Sequence, residues 1–274
     1  MPARREGARE TQSVQSLERG LAVLQVFSRE NPAPTLSEVA RLAGTTRATA
    51  RRILLTLERL GHVRSDGRRF SLTPRVLSLG WSYLSSLNLW EIAQPLMEDL
   101  VEETGESCSA ATLDLPDVVY VARVPTRRIM SITLGVGTRL PAHATSMGRV
   151  LLADLDLEEL DAYLETGPIE ALTERTITEP GALRAAIDEV RAQGWALVDQ
   201  ELELGLRSVA APIQDGERRT VAAMNVSAAA SRVPLSKLRE EILPQLLQTA
   251  DAVSTALGRS GGTEERSRMV AAAS

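Results

Sequence analysis

The 274-residue sequence is poor in the residues that build covalent staples and metal centres. It has one cysteine, Cys108, and two histidines. A lone thiol forms no internal disulfide, and one thiol with two imidazoles does not make a zinc cluster of the usual ligand count and spacing. No stretch approaches the roughly 20 apolar residues that span a bilayer, and residues 1–6 lack the apolar core of a secretion signal. The sequence therefore predicts no metal, no cofactor, no membrane partner and a cytoplasmic location. GxxxxGK followed by Ser or Thr, HExxH and GxGxxG are all missing, so no phosphate-cradling loop, zinc-protease helix or dinucleotide fingerprint is present. What remains is ordinary for a globular protein: 43% apolar residues, 24% charged residues and a mean hydropathy of -0.08. The length suits two domains.

The net charge of -5 conceals a split. Residues 1–80 carry fourteen arginines, no lysine and seven acidic residues, a surplus of +7, which leaves 17 basic and 29 acidic residues, or -12, for the rest. A basic segment on an acidic chain is the footprint of a polyanion-binding module or, more blandly, a solvated face. Arginine alone supplies the cations there, and its planar fork suits bidentate contacts to phosphate or guanine.

Val14, Leu17, Leu21, Leu24 and Phe27 recur at helical spacing, which predicts an amphipathic first helix over Val14–Ser28. Thr35-Leu36-Ser37-Glu38 has the form of a capping box and opens a short second helix that Gly44 closes. Thr45 or Thr46 caps a third helix with an apolar stripe at Ala50, Ile53, Leu54, Leu57 and Leu60, ended by Gly61. The face away from that stripe presents Arg47, Ala48, Arg51, Arg52 and Arg59, with Thr46 and Thr49 in the first turn. In a helix-turn-helix the second helix enters the major groove, and short polar or arginine side chains in its first turns touch base edges. Val63-Arg64-Ser65 and Phe70-Ser71-Leu72 then flank Asp66-Gly67, a strong hairpin signal, with Arg68 and Arg69 at the tip. The pattern is a DNA-binding winged helix, the alternative being the same fold used for protein contacts.

Residues 75–104 read as a long or kinked linker helix, bent by Pro95, with more large apolar side chains than one surface helix buries. Those side chains pack on a partner chain or on the second domain. Beyond them, strands at Cys108–Leu113, Val118–Val124, Ile129–Leu134, Ala196–Val198, Val209–Ile213 and Val221–Val226 interleave with helices at Ser146–Asp154, Leu157–Leu164, Gly181–Gln193 and Leu235–Leu257. This is an α+β domain with an antiparallel sheet. The expected organisation is a mobile tail over 1–13, a winged helix over 14–73, a linker helix over 74–90, a ligand domain over 91–257 and a second mobile tail over 258–274.

Ala144-Thr145-Ser146-Met147-Gly148 approximates a nucleophile elbow, but an α/β-hydrolase has its histidine after the serine and none follows His143. No catalytic residue is assigned. The same segment serves better as a helix start whose first-turn N–H groups at Ser146 and Met147 meet a carboxylate, the bland alternative being an ordinary cap. Arg128, Arg149 and Arg207 are candidate carboxylate partners, the blander reading being solvated or structural arginines, and Cys108 and His143 read as structural.

Gln15-Ser16-Leu17-Glu18-Arg19-Gly20-Leu21, the winged helix and Leu140-Pro141-Ala142-His143-Ala144-Thr145-Ser146-Met147-Gly148-Arg149 together resemble the IclR family of transcriptional regulators over residues 14–257. Val198-Asp199-Gln200-Glu201-Leu202-Glu203-Leu204-Gly205-Leu206-Arg207-Ser208 is similar to the branch governing protocatechuate, 4-hydroxybenzoate and β-ketoadipate catabolism. The resemblance implies a winged helix-turn-helix, a linker helix and a GAF-like effector domain, assembled as a homodimer or dimer of dimers on a double-stranded operator. It places the effector among Ile129, Ser146, Met147, Ser208, Asn225 and Ser227. The bulkier Met147 and the Val198-Asp199 pair make this pocket less polar than in many members, which suits an aromatic or keto acid. The alternatives are a regulator sensing an unrelated ligand, such as a sugar acid or signalling lactone, and an enzyme acting on a small acid.

Overall fold

A computed structural model describes residues 13–86, 89–126, 134–166 and 169–272, in two compact units that divide between Tyr83 and Leu84. In the first, α1 (Gln15–Gln25), α2 (Leu36–Leu42) and α3 (Arg47–Arg59) precede the hairpin of β1 (Val63–Ser65) and β2 (Phe70–Leu72). Each boundary has a local cause. Thr35 and Glu38 form the reciprocal capping box at the start of α2. Thr46 caps α3 by accepting the Thr49 N–H at 3.2 Å. At the hairpin tip Gly67 takes φ +94, which glycine adopts without a Cβ penalty, while the Asp66 carboxylate accepts the Arg68 and Arg69 N–H groups at 2.9 and 2.7 Å. Those two backbone donors, Arg69 first, hold the Asp66 carboxyl below its usual range.

The core of this unit is Val23, Val26, Val39, Ala40, Ala50, Leu54, Leu57 and Val63. Its α1 contribution differs from the expected stripe. Val14, Leu17 and Leu21 are exposed, and Leu60 at the end of α3 is exposed too. Helical periodicity shows that a face is apolar but not what covers it; here Val23 and Val26, nearly half a turn away, take the core, with Leu24 and Phe27 of the stripe packed against it.

A 3-10 turn (Pro74–Val76) leads into α4 (Leu77–Ser86), where Leu77, Leu79, Trp81 and Tyr83 are exposed. The helix α5 (Leu89–Thr104) contains Pro95 and opens the second unit's core.

There, β3 (Ser107–Asp114), β4 (Asp117–Val124), β5 (Arg139–Pro141), β6 (Ala196–Asp199), β7 (Leu206–Gln214) and β8 (Thr220–Ala229) form one antiparallel sheet in the order β5-β4-β3-β8-β7-β6. Period-two alternation sends Cys108, Ala110, Val209, Ala211, Ile213, Met224 and Val226 to one face. They pack under α5 and the last helix, α9 (Leu243–Ala272), against Met97, Leu100, Leu246 and Val253. The opposite face lies under α6 (Ser146–Asp154), α7 (Leu157–Glu165) and α8 (Pro180–Gln193), with Ala111, Tyr120, Ala210 and Ala223 against Met147, Leu152, Leu160, Leu183 and Ile187. With both faces covered, the middle of β7, Val209 to Ile213, is an unbroken apolar run rather than an alternating one.

Three features depart from the sequence expectation. The edge strand β5 was not anticipated: three residues ending in proline carry little strand signal, and Arg139, paired with Asp114 and Asp117, fastens it. Before α9, Leu235–Lys237 and a π-helical turn over Leu238–Ile242 break the single helix expected from Leu235. Finally, α9 continues to Ala272 where Gly258 was read as its end and a mobile tail was expected, since glycine lowers helix propensity without forbidding a helix. The expected strand at Ile129–Leu134 lies largely outside the described residues.

Candidate functional site

On α3, Arg47, Ala48, Arg51 and Arg52 are exposed beside Thr46, and Thr49 is half-buried. The Thr46 hydroxyl also donates to Thr49 Oγ1 at 3.0 Å. Among the described residues no carboxylate pairs with Arg47, Arg51, Arg52 or Arg68, so this face carries uncompensated positive charge. Arg69 is different. Its Nη1 donates to the Ala33 carbonyl at 2.7 Å, and its neighbour Phe70 takes the Pro34 carbonyl, so Arg69 ties the wing to the α1–α2 loop. The hairpin tip offers one unengaged guanidinium, Arg68, and one partly committed.

In the second unit α6 begins at a tight corner. Ala142–Ala144 form a 3-10 turn, Thr145 caps α6 by accepting the Gly148 N–H at 3.1 Å, and a Cβ on Gly148 would stand 2.1 Å from the Ala142 carbonyl oxygen. Only glycine lets the turn and the helix approach so closely. The corner brings Ala144 and Thr145 over the sheet, where they enclose a cavity of about 20 Å3 with Tyr120, Arg123, Val198, Leu202, Ser208, Asn225 and Ser227.

Cross-strand register explains the polar floor. Ser208 on β7 pairs Ser227 on β8, which pairs Ser107 on β3; one row on, Ala210 pairs Asn225, which pairs Ser109, which pairs Arg123. Residues directly opposite share a face, so serines, one asparagine and one arginine form two polar rows across the sheet. Ser146 Oγ lies 2.8 Å from Ser208 Oγ, and Asn225 Nδ2 donates to Ser227 Oγ at 3.0 Å. Asn225 Oδ1 is buried without a partner.

Of the six expected effector residues, Ser208, Asn225 and Ser227 line this cavity, and Ser146 reaches it through Ser208. Met147 is fully buried in the apolar cluster beneath α6, and Ile129, like Arg128, lies outside the described residues. Arg149 and Arg207 are already neutralised. Arg149 pairs with Glu201 and donates to the His143 carbonyl, and Arg207 donates to Asp199 at 2.9 Å. The sequence pattern passed over Arg123, because a cation inside a strand resembles any solvent-facing residue until the register turns it inward. Its Nη1 donates to Ser109 Oγ at 3.2 Å, and burial lowers its pKa. Burial likewise pushes the Tyr120 phenol up to about 12.

The elbow geometry is absent. Ser146 bonds Ser208 rather than a base, and His143 Nε2 lies 3.0 Å from the Glu170 carbonyl. Cys108 is fully buried and its thiol is pushed far up by desolvation, which leaves it a packing residue. Among the described residues no cluster of three His, Cys, Asp or Glu is placed to hold a metal, and no helix is long and apolar enough to cross a membrane.

Residues 16–67 match the IclR helix-turn-helix domain, and residues 81–255 match the bacterial transcriptional regulator IclR C-terminal domain. A Pca regulon regulatory protein of Pseudomonas putida is 47% identical over 233 residues, 85% of this chain and 80% of the relative. A crystal structure of a Rhodococcus sp. RHA1 protein assigned to the transcriptional regulators is 55% identical, covering 90% of this chain and all of that one, with a TM-score of 0.81. An IclR homolog from Microbacterium hydrocarbonoxydans, crystallised with 4-hydroxybenzoate, is 26% identical with a TM-score of 0.79, covering 88% of this chain and 98% of that one.

Proposed function

The chain belongs to the IclR family of bacterial transcriptional regulators, and on that premise we propose that it controls an aromatic-acid catabolic operon in response to a small aromatic or keto acid. Its relatives are regulators rather than enzymes. The observation that carries the ligand reading is the pair of polar rows enclosed beneath α6, beside the apolar cluster on the same face of the sheet. The branch that includes the Pseudomonas putida relative and the 4-hydroxybenzoate held by the Microbacterium protein point to the class of acid.

In this reading Thr46, Arg47, Ala48 and Thr49 read base edges, while Arg51, Arg52, Arg68 and the remaining donors of Arg69 hold phosphates. The acid lies among Ser146, Ser208, Asn225 and Ser227, with Ile129 and the Met147 N–H completing its surround. A cavity of about 20 Å3 holds little more than one water, so a ring enters by displacing Leu202 and its loop from the wall. The exposed apolar residues of α1 and α4, Leu17, Leu21, Leu77 and Trp81 among them, support a homodimer or dimer of dimers in the cytoplasm. Two recognition helices then meet half-sites one DNA turn apart, and the acid acts by its differential affinity for the dimer arrangements that do and do not fit.

The test is fluorescence anisotropy with DNA flanking the protein's own gene, with and without protocatechuate, 4-hydroxybenzoate and β-ketoadipate. One acid alters specific binding. Arg47→Ala costs about 1–3 kcal/mol on the operator and relaxes its preference, whereas Arg68→Ala weakens all DNA alike and flattens the salt slope by about 0.9. Equal losses on operator and random DNA from both variants refute the division of roles, and indifference to all three acids refutes the pathway.

A further inference from the structure

We propose that Arg123 fixes the carboxylate of the effector, a role that rests on the effector reading above and assigns its charge recognition to β4 rather than to the start of α6. Three observations converge on this side chain.

The first is charge. The two fully buried arginines of the unit each have a carboxylate, Glu201 for Arg149 and Asp199 for Arg207. Arg123 has none among the described residues, and its one recorded hydrogen bond goes to a neutral hydroxyl, Ser109 Oγ. A guanidinium has five donors in a fixed fork that matches a carboxylate with two parallel bonds, so most of its capacity is open. The second is place. Arg123 lines the cavity, in line across the sheet with Ser109 and Asn225. Holding Ser109 alone needs no positive charge, and a cation kept half-buried against the cost of desolvation calls for an anion. The third is the same row's other end, where Asn225 Oδ1 is buried without a partner. Two groups with open hydrogen-bonding capacity on one row, Ser109 between them, one cationic and one an acceptor, mark a site built for an acid that also carries a hydroxyl donor. The rival anchor, the first turn of α6, offers about half an elementary charge spread over N–H groups, against a full charge on Arg123.

The experiment is calorimetric titration of the full-length protein and of Arg123→Gln with 4-hydroxybenzoate and protocatechuate, each beside its neutral carboxamide. The wild-type protein prefers each acid over its amide by about ten- to a hundredfold, the range of a charge-assisted hydrogen bond. In Arg123→Gln that ratio falls to about one, with the melting temperature held. An unchanged ratio in the variant overturns the inference and returns the carboxylate to the start of α6. A wild-type protein that takes acid and amide equally overturns it however the variant folds. A wild-type protein that binds none of the four compounds overturns the effector reading and this inference together.

Discussion

Glu201→Gln removes one charge from the buried pair with Arg149 while keeping the side chain's volume. The pair's side chains are 5% and 10% exposed, and the Glu201 carboxylate also accepts the Ile177 N–H at 3.2 Å. Glutamine keeps one acceptor oxygen for two donors and leaves the Arg149 guanidinium uncompensated in the interior. Breaking a buried pair by removing one partner costs about 3–5 kcal/mol. At roughly 2–4 °C per kcal/mol for a unit of this size, the melting temperature falls by about 6–20 °C. Circular dichroism on the full chain reads the loss. The double variant Arg149→Met with Glu201→Leu recovers most of it, because two apolar side chains of similar volume leave no charge behind. Acid binding weakens in Glu201→Gln as well, since the next residue, Leu202, is a wall of the cavity. A melting temperature within about 2 °C of wild type would show that water reaches the pair and that it does not fasten this wall.

Gly148→Ala tests the corner at α6: alanine favours a helix by about 1 kcal/mol over glycine, so a net loss of about 1–3 kcal/mol can come only from the Cβ pressed on the Ala142 carbonyl. Thermal unfolding and acid titration check it, and a gain in stability contradicts the close approach. His143 carries a pH prediction. Burial lowers its pKa below the ordinary 6.5, so the folded chain keeps the imidazole neutral while the unfolded chain takes up the proton first. Stability is therefore complete above about pH 6.5 and declines from there down to the lowered native value. Urea midpoints between pH 5 and 7.5 record the decline, which His143→Gln flattens by at most one proton; an identical slope in the variant removes His143 as the source.

The helices and the hairpin of the first unit were legible because their punctuation is local: Thr35 with Glu38, Thr46, and Asp66-Gly67 each act within four residues. The antiparallel α+β unit was legible from alternation. Which side of α1 is buried was not, because Val14, Leu17 and Leu21 form a good apolar stripe whose cover lies outside the helix. The candidate site divides the same way. Ser208, Asn225 and Ser227 came from family resemblance, whereas Arg123 depends on register across four strands, which no single segment encodes. The pairing of Arg149 with Glu201 joins residues 52 positions apart, and so the sequence left Arg149 open between a structural role and a ligand partner.

The exposed arginine face of α3 and the wing owes its charge to guanidinium groups, and the chain's single lysine, Lys237, stands in the other unit. Guanidinium keeps its proton across the whole physiological range and is not a target of lysine acylation. That face therefore has a charge that neither cellular pH nor lysine acetylation can dim. The same distribution gives a practical handle: amine-reactive tethers and dyes find their side-chain target at Lys237, leaving the arginine face free while the protein is immobilised or labelled.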